Sequence, residues 1–128
     1  MKDGYYGLRS ERSGATALEY AIILPVLLLF LLGIIDTGRL LWTYATLYRA
    51  SEAAARCAAV NIASCGTASQ IQNDAVAEAW GLNLPASTFT VSSPSCGVQV
   101  SAAYSFKYFT PGFSPSTLTA SACVTSLH

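Results

Sequence analysis

The sequence predicts an α+β protein, in which a long N-terminal transmembrane helix extends into a small disulfide-stapled head with a short helix and a three-stranded antiparallel sheet. Three observations support this fold class. An uncharged apolar run covers residues 20–35, and apolar residues at helical spacing continue to about residue 60. Period-two alternation dominates the C-terminal part of the chain. All four cysteines follow the apolar run, at positions 57, 65, 96 and 123.

The apolar run is the predicted membrane anchor. Its 16 residues form about 24 Å of helix, and extension back to Gly14 reaches the roughly 20 residues that a bilayer core of about 30 Å requires. Basic residues before the run predict a cytoplasmic N-terminus and an exported C-terminal part. Because the run is long and no A-x-A-type site follows it, a retained anchor is favoured over a removable secretory signal. The predicted parts are a cytoplasmic leader (1–14), a transmembrane helix (15–36), an extramembrane continuation of that helix (37–60) and a small periplasmic α+β head (61–128).

Alanines and charge pairs support the continuation of the helix beyond the apolar run. Six alanines lie between residues 50 and 59 and give this segment a high helix propensity. Glu52 and Arg56 form an i,i+4 pair in the favourable order, and Asp36 and Arg39 form an i,i+3 pair. The helix is therefore expected to run from about residue 15 to about residue 60.

The head is predicted from one helix start signal and three alternating segments. Thr67 and Gln70 match a capping box, which predicts the start of a short helix. Thr88–Val91, Val98–Phe106 and Leu118–Thr125 are the predicted strands, and the second shows the clearest alternation. The two helices are available to cover the apolar face of the resulting sheet.

The cysteines are predicted to form two disulfides, because their number is even and the domain is small and exported. Four cysteines allow three pairings; a short loop favours Cys57–Cys65, and the meeting ends of antiparallel strands favour Cys96–Cys123. A zinc site is the disfavoured alternative, because no two cysteines have C-x-x-C spacing and the one histidine is the terminal His128. The sequence thus predicts no metal and no cofactor.

Glu19 is the most informative residue, because it places a carboxylate inside the apolar layer. A charge costs about 2.5–3.5 kcal/mol at the centre of a membrane helix and less near the interface, so the carboxylate calls for a partner. The best partner is a new amino terminus on Ala15, made by cleavage after Gly14 and presented by a neighbouring copy. The alternative is an interfacial carboxylate that simply marks where the span begins.

Residues 12–25, RSGATALEYAIILP, together with 33–39 and 52–56, resemble the TadE-like minor pilins, also called pseudopilins, of the tight-adherence (Flp, type IVb) pilus system. The resemblance implies that a prepilin peptidase cuts between Gly14 and Ala15, that Glu19 pairs with the amino terminus of a neighbour, and that Tyr20 follows as the aromatic of the family. It also implies a single-pass protein of the bacterial inner membrane that can enter an extracellular pilus. Its partners would be other pilins or pseudopilins, assembly platform proteins and the lipid membrane.

Several function classes lack support in the sequence. The net charge is zero, so there is no electrostatic basis for binding nucleic acid. No P-loop, G-x-S-x-G or H-E-x-x-H motif is present, and the chain is predicted not to be an enzyme. The sequence predicts a minor pilin with a structural role, and the alternative is an uncleaved, membrane-anchored periplasmic adaptor or binding module.

Overall fold

The computed structural model describes residues 7–126, with side chains described from residue 14 onwards. Residues 1–6 of the predicted leader and the terminal His128 lie outside this range. The described elements are α1 (Gly7–Val60), α2 (Ile62–Cys65), α3 (Ala68–Glu78), a 3-10 turn (Ala86–Thr88), β1 (Phe89–Ser92), β2 (Val98–Phe106) and β3 (Ser116–Val124). This arrangement confirms the predicted α+β fold class.

Helix α1 is a single helix of 54 residues that continues through Pro25. It begins at Gly7, earlier than the start predicted near Gly14, because residues 8–13 contain neither glycine nor proline and so allow the helix to extend. Its most apolar 18-residue window has a mean hydropathy of 2.6, and no part of that window is buried within the molecule. By length and composition, α1 is able to cross a membrane.

The core of the head lies between the C-terminal half of α1, helix α3 and one face of the sheet. Alanines on α1 allow the helix backbone to approach the sheet closely, and larger side chains fill the remaining space. The largest fully buried apolar side chains are Phe89, Phe106, Leu47 and Val100, and the buried alanines of α1 are Ala50, Ala54, Ala55, Ala58 and Ala59. The head is therefore built around the second half of the same helix whose first half is exposed.

The sheet has the strand order β1-β2-β3, and both strand pairs are antiparallel. Strands β2 and β3 pair over nine residues, from Val98 opposite Val124 to Phe106 opposite Ser116. The segment 107–115 therefore forms the loop of a long hairpin, and the Cys96–Cys123 disulfide lies at the opposite end.

Two disulfides close the head, and they are the pairings predicted from the sequence. Cys57–Cys65 joins the end of α1 to α2 with a Cα–Cα distance of 5.7 Å, and Cys96–Cys123 has a Cα–Cα distance of 6.3 Å. Both distances lie in the usual range for disulfides. The two disulfides thus secure the helix end and the open end of the β2–β3 hairpin.

Helix termini in the head follow their capping residues. The capping box of Thr67 and Gln70 is present at the start of α3, as predicted. The segment 61–66, for which the sequence predicts no element, contains the four-residue helix α2. The side chain of Asn61 accepts a hydrogen bond from the N–H of Ser64 and caps this turn.

Candidate functional site

The segment that the resemblance singles out lies on the exposed N-terminal part of α1. Gly14, Ala15, Glu19 and Tyr20 are all exposed, and a Cβ added at Gly14 would meet no atom within 4 Å. Glu19 follows Ala15 by four residues, so the two lie on the same helix face, about 6 Å apart along the axis. The structure therefore leaves this segment open to another protein.

Glu19 has no cationic partner among the side chains that the structure describes, which begin at residue 14. The ion pairs formed there are Asp36–Arg39 and Glu52–Arg56, both of which the sequence predicts. The large side chains beside Glu19, such as Leu18 and Tyr20, are exposed and apolar. A carboxylate in this setting has to find its partner in water, at a membrane surface or on another molecule.

Apart from Glu19, the side chains on all sides of α1 between residues 18 and 35 are apolar. Along this stretch most of the large side chains are about half exposed or more: Leu18, Tyr20, Ile22, Ile23, Leu24, Val26, Leu27, Leu28, Leu29, Phe30, Leu31, Ile34 and Ile35. A helix that is apolar all round belongs inside a protein core or a membrane. The head leaves most of this stretch uncovered, so this part of α1 has the length and composition of a membrane anchor.

Asp36 marks the end of the apolar run and is buried, with 4% of its surface exposed. Its carboxylate accepts hydrogen bonds from the N–H of Phe109 (2.9 Å to Oδ1 and 3.0 Å to Oδ2) and from the N–H and hydroxyl of Thr110 (2.8 and 2.7 Å to Oδ2). The guanidinium of Arg39 donates to Oδ1 at 3.1 Å. These charge-assisted hydrogen bonds are stronger than neutral ones, so they hold the β2–β3 loop against α1.

Arg39 adds a second set of contacts to the same loop. Its guanidinium lies 3.9 Å from the ring centroid of Phe109 and 5.1 Å from that of Phe106, and it donates to the carbonyl oxygen of Lys107 at 3.4 Å. Cations over aromatic rings are attracted to the π face. We call Asp36, Arg39 and the loop contacts that they make the Asp36–Arg39 clasp.

The sequence predicts the ion pair between Asp36 and Arg39 but not the contacts of the clasp with the loop. Phe109 is 73 residues from Asp36 along the chain, and no local pattern links the two. The available signal was the position of Asp36, the first acidic residue after a long apolar run. A carboxylate there needs either solvent or a dedicated set of donors.

Three residues of types that bind metals lie close together in the head, but two of them form a disulfide and so are not available as metal ligands. Sγ of Cys57 and Cys65 and a carboxylate oxygen of Asp74 lie within 4.8 Å of one another. Metals bind the thiolate form of cysteine, whereas both sulfur atoms here are joined in a disulfide. The geometry therefore favours a structural role for these cysteines.

Comparison with known proteins supports the resemblance over most of α1. Residues 14–56 match the family model of the TadE-like proteins. No curated protein and no solved structure gives a significant match. The match confirms the predicted TadE-like resemblance and associates the chain with tight-adherence pilus systems. It begins at Gly14 and includes Glu19, Asp36 and Arg39.

Proposed function

We propose that this chain, TadE-like over residues 14–56, is a minor pilin or pseudopilin of a tight-adherence pilus. Its role is structural: α1 packs laterally against the helices of other subunits, and the head occupies the exported side. The observation that carries the proposal is Glu19, a carboxylate on an exposed apolar helix that has no cationic partner among the described side chains, residues 14–126. An assembly in which a neighbour supplies a positive group accounts for that carboxylate.

The proposed topology follows the apolar pattern of α1. Residues 1–14 form a cytoplasmic leader, 15–36 cross the bacterial inner membrane, 37–60 continue the helix and 61–128 form the periplasmic head. The 22 residues of the span correspond to about 33 Å of helix, close to the hydrocarbon thickness of about 30 Å. This topology also places the four cysteines in an oxidising compartment, where disulfides form and persist.

Processing and assembly are linked by the amino terminus. Cleavage between Gly14 and Ala15 by a prepilin peptidase creates a positive α-amino group at the start of α1. When a neighbouring subunit packs alongside with an axial offset of about 6 Å, its amino group lies level with Glu19 and offsets the cost of placing the carboxylate in an apolar layer. Tyr20 lies next to Glu19 and is exposed, so it is available for the same helix–helix contact.

The proposed partners are the prepilin peptidase, other pilins or pseudopilins and the proteins of the assembly platform. The lipid membrane holds the subunit until the subunit is extracted into a filament or caps one. The role needs no cofactor, because it consists of binding and packing.

N-terminal sequencing of protein extracted from the host membrane tests the proposal. The wild-type chain should begin at Ala15, and Gly14→Ala should remain unprocessed, because a side chain is introduced at the bond that the peptidase must accommodate. Gly33→Ala is the matched control, since Gly33 lies on the same helix and an added Cβ there also meets no atom within 4 Å. That variant should be processed normally.

Two results would count against the proposal. Normal mature product from Gly14→Ala would refute the assigned cleavage bond. An intact Met1 in the wild-type chain, in a host with an active peptidase, would favour the uncleaved periplasmic adaptor instead.

A further inference from the structure

The β2–β3 loop lies beside the end of the apolar run of α1 and presents aromatic side chains there. Thr110 and Phe113 line a shallow groove together with Phe30 and Gly33 of α1. Phe109 and Phe113 are 62% and 66% exposed, and all residues from 111 to 115 are exposed. Two phenylalanines on a loop are thus held next to the helix segment that is proposed to cross the membrane.

The loop extends beyond Asp36 in the direction of the apolar run. Phe30 precedes Asp36 by six residues, which corresponds to about 9 Å along the helix axis. Phe113 lines this groove and a second one that reaches Leu40 and Leu41, and the α1 residues common to both grooves are Gly33 and Thr37. Phe113 is therefore level with the last turn of the predicted span. Interfacial apolar groups typically reach about 5–10 Å into the boundary between headgroups and acyl chains.

We propose that the β2–β3 loop is a second membrane contact, which inserts Phe113 into the lipid leaflet on the side of the head and places Phe109, whose ring lies against the guanidinium of Arg39, at the level of the headgroups. Lipid covers this surface, because the loop runs alongside the membrane span. The loop could avoid lipid only if the adjoining part of α1 left the bilayer. The inference rests on the proposed span of α1, but not on cleavage or on assembly into a pilus.

The charge of the loop agrees with a lipid surface. Segment 107–115 carries one charged residue, Lys107, and no acidic residue. Lys107 is exposed at the base of the loop, whereas the phenylalanine at position 113 lies near its tip. A cation at the base and an aromatic ring at the tip suit anionic headgroups and acyl chains respectively.

The loop is held in place before it meets lipid. The Asp36–Arg39 clasp fixes its first residues to α1, and the hydroxyl groups of Tyr108 and Ser116 are hydrogen bonded at 2.9 Å. The ring of Tyr108 also contacts that of Phe113, with 5.6 Å between the centroids. A loop ordered in this way loses little conformational entropy on insertion, and its two attachments to the bilayer fix the orientation of the head.

Quenching of single tryptophans by brominated lipids tests the proposal on the full chain in phosphatidylcholine–phosphatidylglycerol vesicles. The background replaces both native tryptophans, Trp42→Phe and Trp80→Phe, which are tolerable changes because both side chains are exposed. Phe113→Trp reports on the loop. Ile62→Trp is the matched control, an exposed apolar side chain on α2, and Leu24→Trp reports on the span.

We expect Phe113→Trp to lose most of its fluorescence with lipids brominated close to the headgroup, and to lose less with lipids brominated near the chain end. Leu24→Trp should be quenched, and Ile62→Trp should respond only to a quencher dissolved in water. A loop tryptophan that brominated lipid leaves unquenched, while Leu24→Trp is quenched, would overturn the proposal. Equal quenching of Phe113→Trp and Ile62→Trp would also overturn it, because the contact would then not be specific to the loop.

Discussion

A pairing of Glu19 with the amino terminus of a neighbour predicts the stagger between adjacent α1 helices. Ala15 and Glu19 are four residues apart on a continuous helix, which corresponds to about 6 Å along the axis. The neighbour must therefore be displaced by this distance towards the head. Residue 26 of one copy then lies level with residue 22 of the next.

Cysteine crosslinking between differently tagged copies measures this stagger. Ile22 and Val26 lie on the same side of α1 as Glu19, and their exposed fractions are closely matched, at 65% and 66%. A copy with Ile22→Cys should form a disulfide with a copy that carries Val26→Cys. Two copies that both carry Val26→Cys should crosslink poorly, because the axial offset of about 6 Å exceeds the Cβ–Cβ distance of about 3.5–4.5 Å in a disulfide.

Glu19→Gln supplies the charge control for the same assay. Glutamine keeps the size of the side chain and removes its charge, so membrane insertion should persist while the preference for the staggered pair is lost. Equal crosslinking of the same-position and staggered pairs in the wild-type background would refute the reasoning. So would a preference for the staggered pair that survives Glu19→Gln in both copies.

Three further predictions concern the head. Asp36→Ala removes the acceptor of two loop amides, so these amides should exchange hydrogen faster, and unchanged exchange rates would contradict the clasp. Gly97→Ala should lower the free energy of unfolding by more than about 1 kcal/mol, because φ is +125° and a Cβ would overlap a backbone oxygen of β3. Gly112→Ala is the control, because φ there is +91° but a Cβ would meet no atom within 4 Å. The control should lower the melting temperature less than Gly97→Ala does. Serine replacement of the Cys96–Cys123 pair should lower the free energy of unfolding by about 3.6 kcal/mol, and replacement of the Cys57–Cys65 pair should lower it by about 2.5 kcal/mol. The first loss is larger because loop-closure entropy grows with sequence separation, which is 27 residues for the first pair and 8 for the second. The reverse order in urea unfolding would contradict this account.

Most of the elements could be predicted from local pattern. The strand predicted at Val98–Phe106 has the same bounds in the structure, and the strand predicted at Leu118–Thr125 is shifted by no more than two residues. Alternation fixes which side chains face the core, and that constraint is strong where one face of the sheet is buried. The short helix after the capping box could also be predicted from the sequence, because a capping box involves only four consecutive residues.

Features that depend on distant residues could not be predicted in this way. The partners of Asp36 on the β2–β3 loop depend on how the folded sheet sits on α1, and no pattern near residue 36 encodes that arrangement. Helix α2 escaped prediction for a different reason, because its four residues are too few to show a period. Glu19 was singled out by its position in the apolar layer, Gly14 and Ala15 by the partner that cleavage would give it, and Tyr20 by the resemblance. The proposed roles of these residues depend on other molecules.

The separation between Asp36 and its loop partners has a consequence for biogenesis. At about 5–20 residues per second, a ribosome needs roughly 4–15 s to synthesise the 73 residues between Asp36 and Phe109. During this interval the carboxylate at the end of the apolar run has only Arg39 and water as partners. Such a group resists entry into the hydrocarbon, and it therefore keeps the nascent chain from slipping back until the hairpin arrives to enclose it.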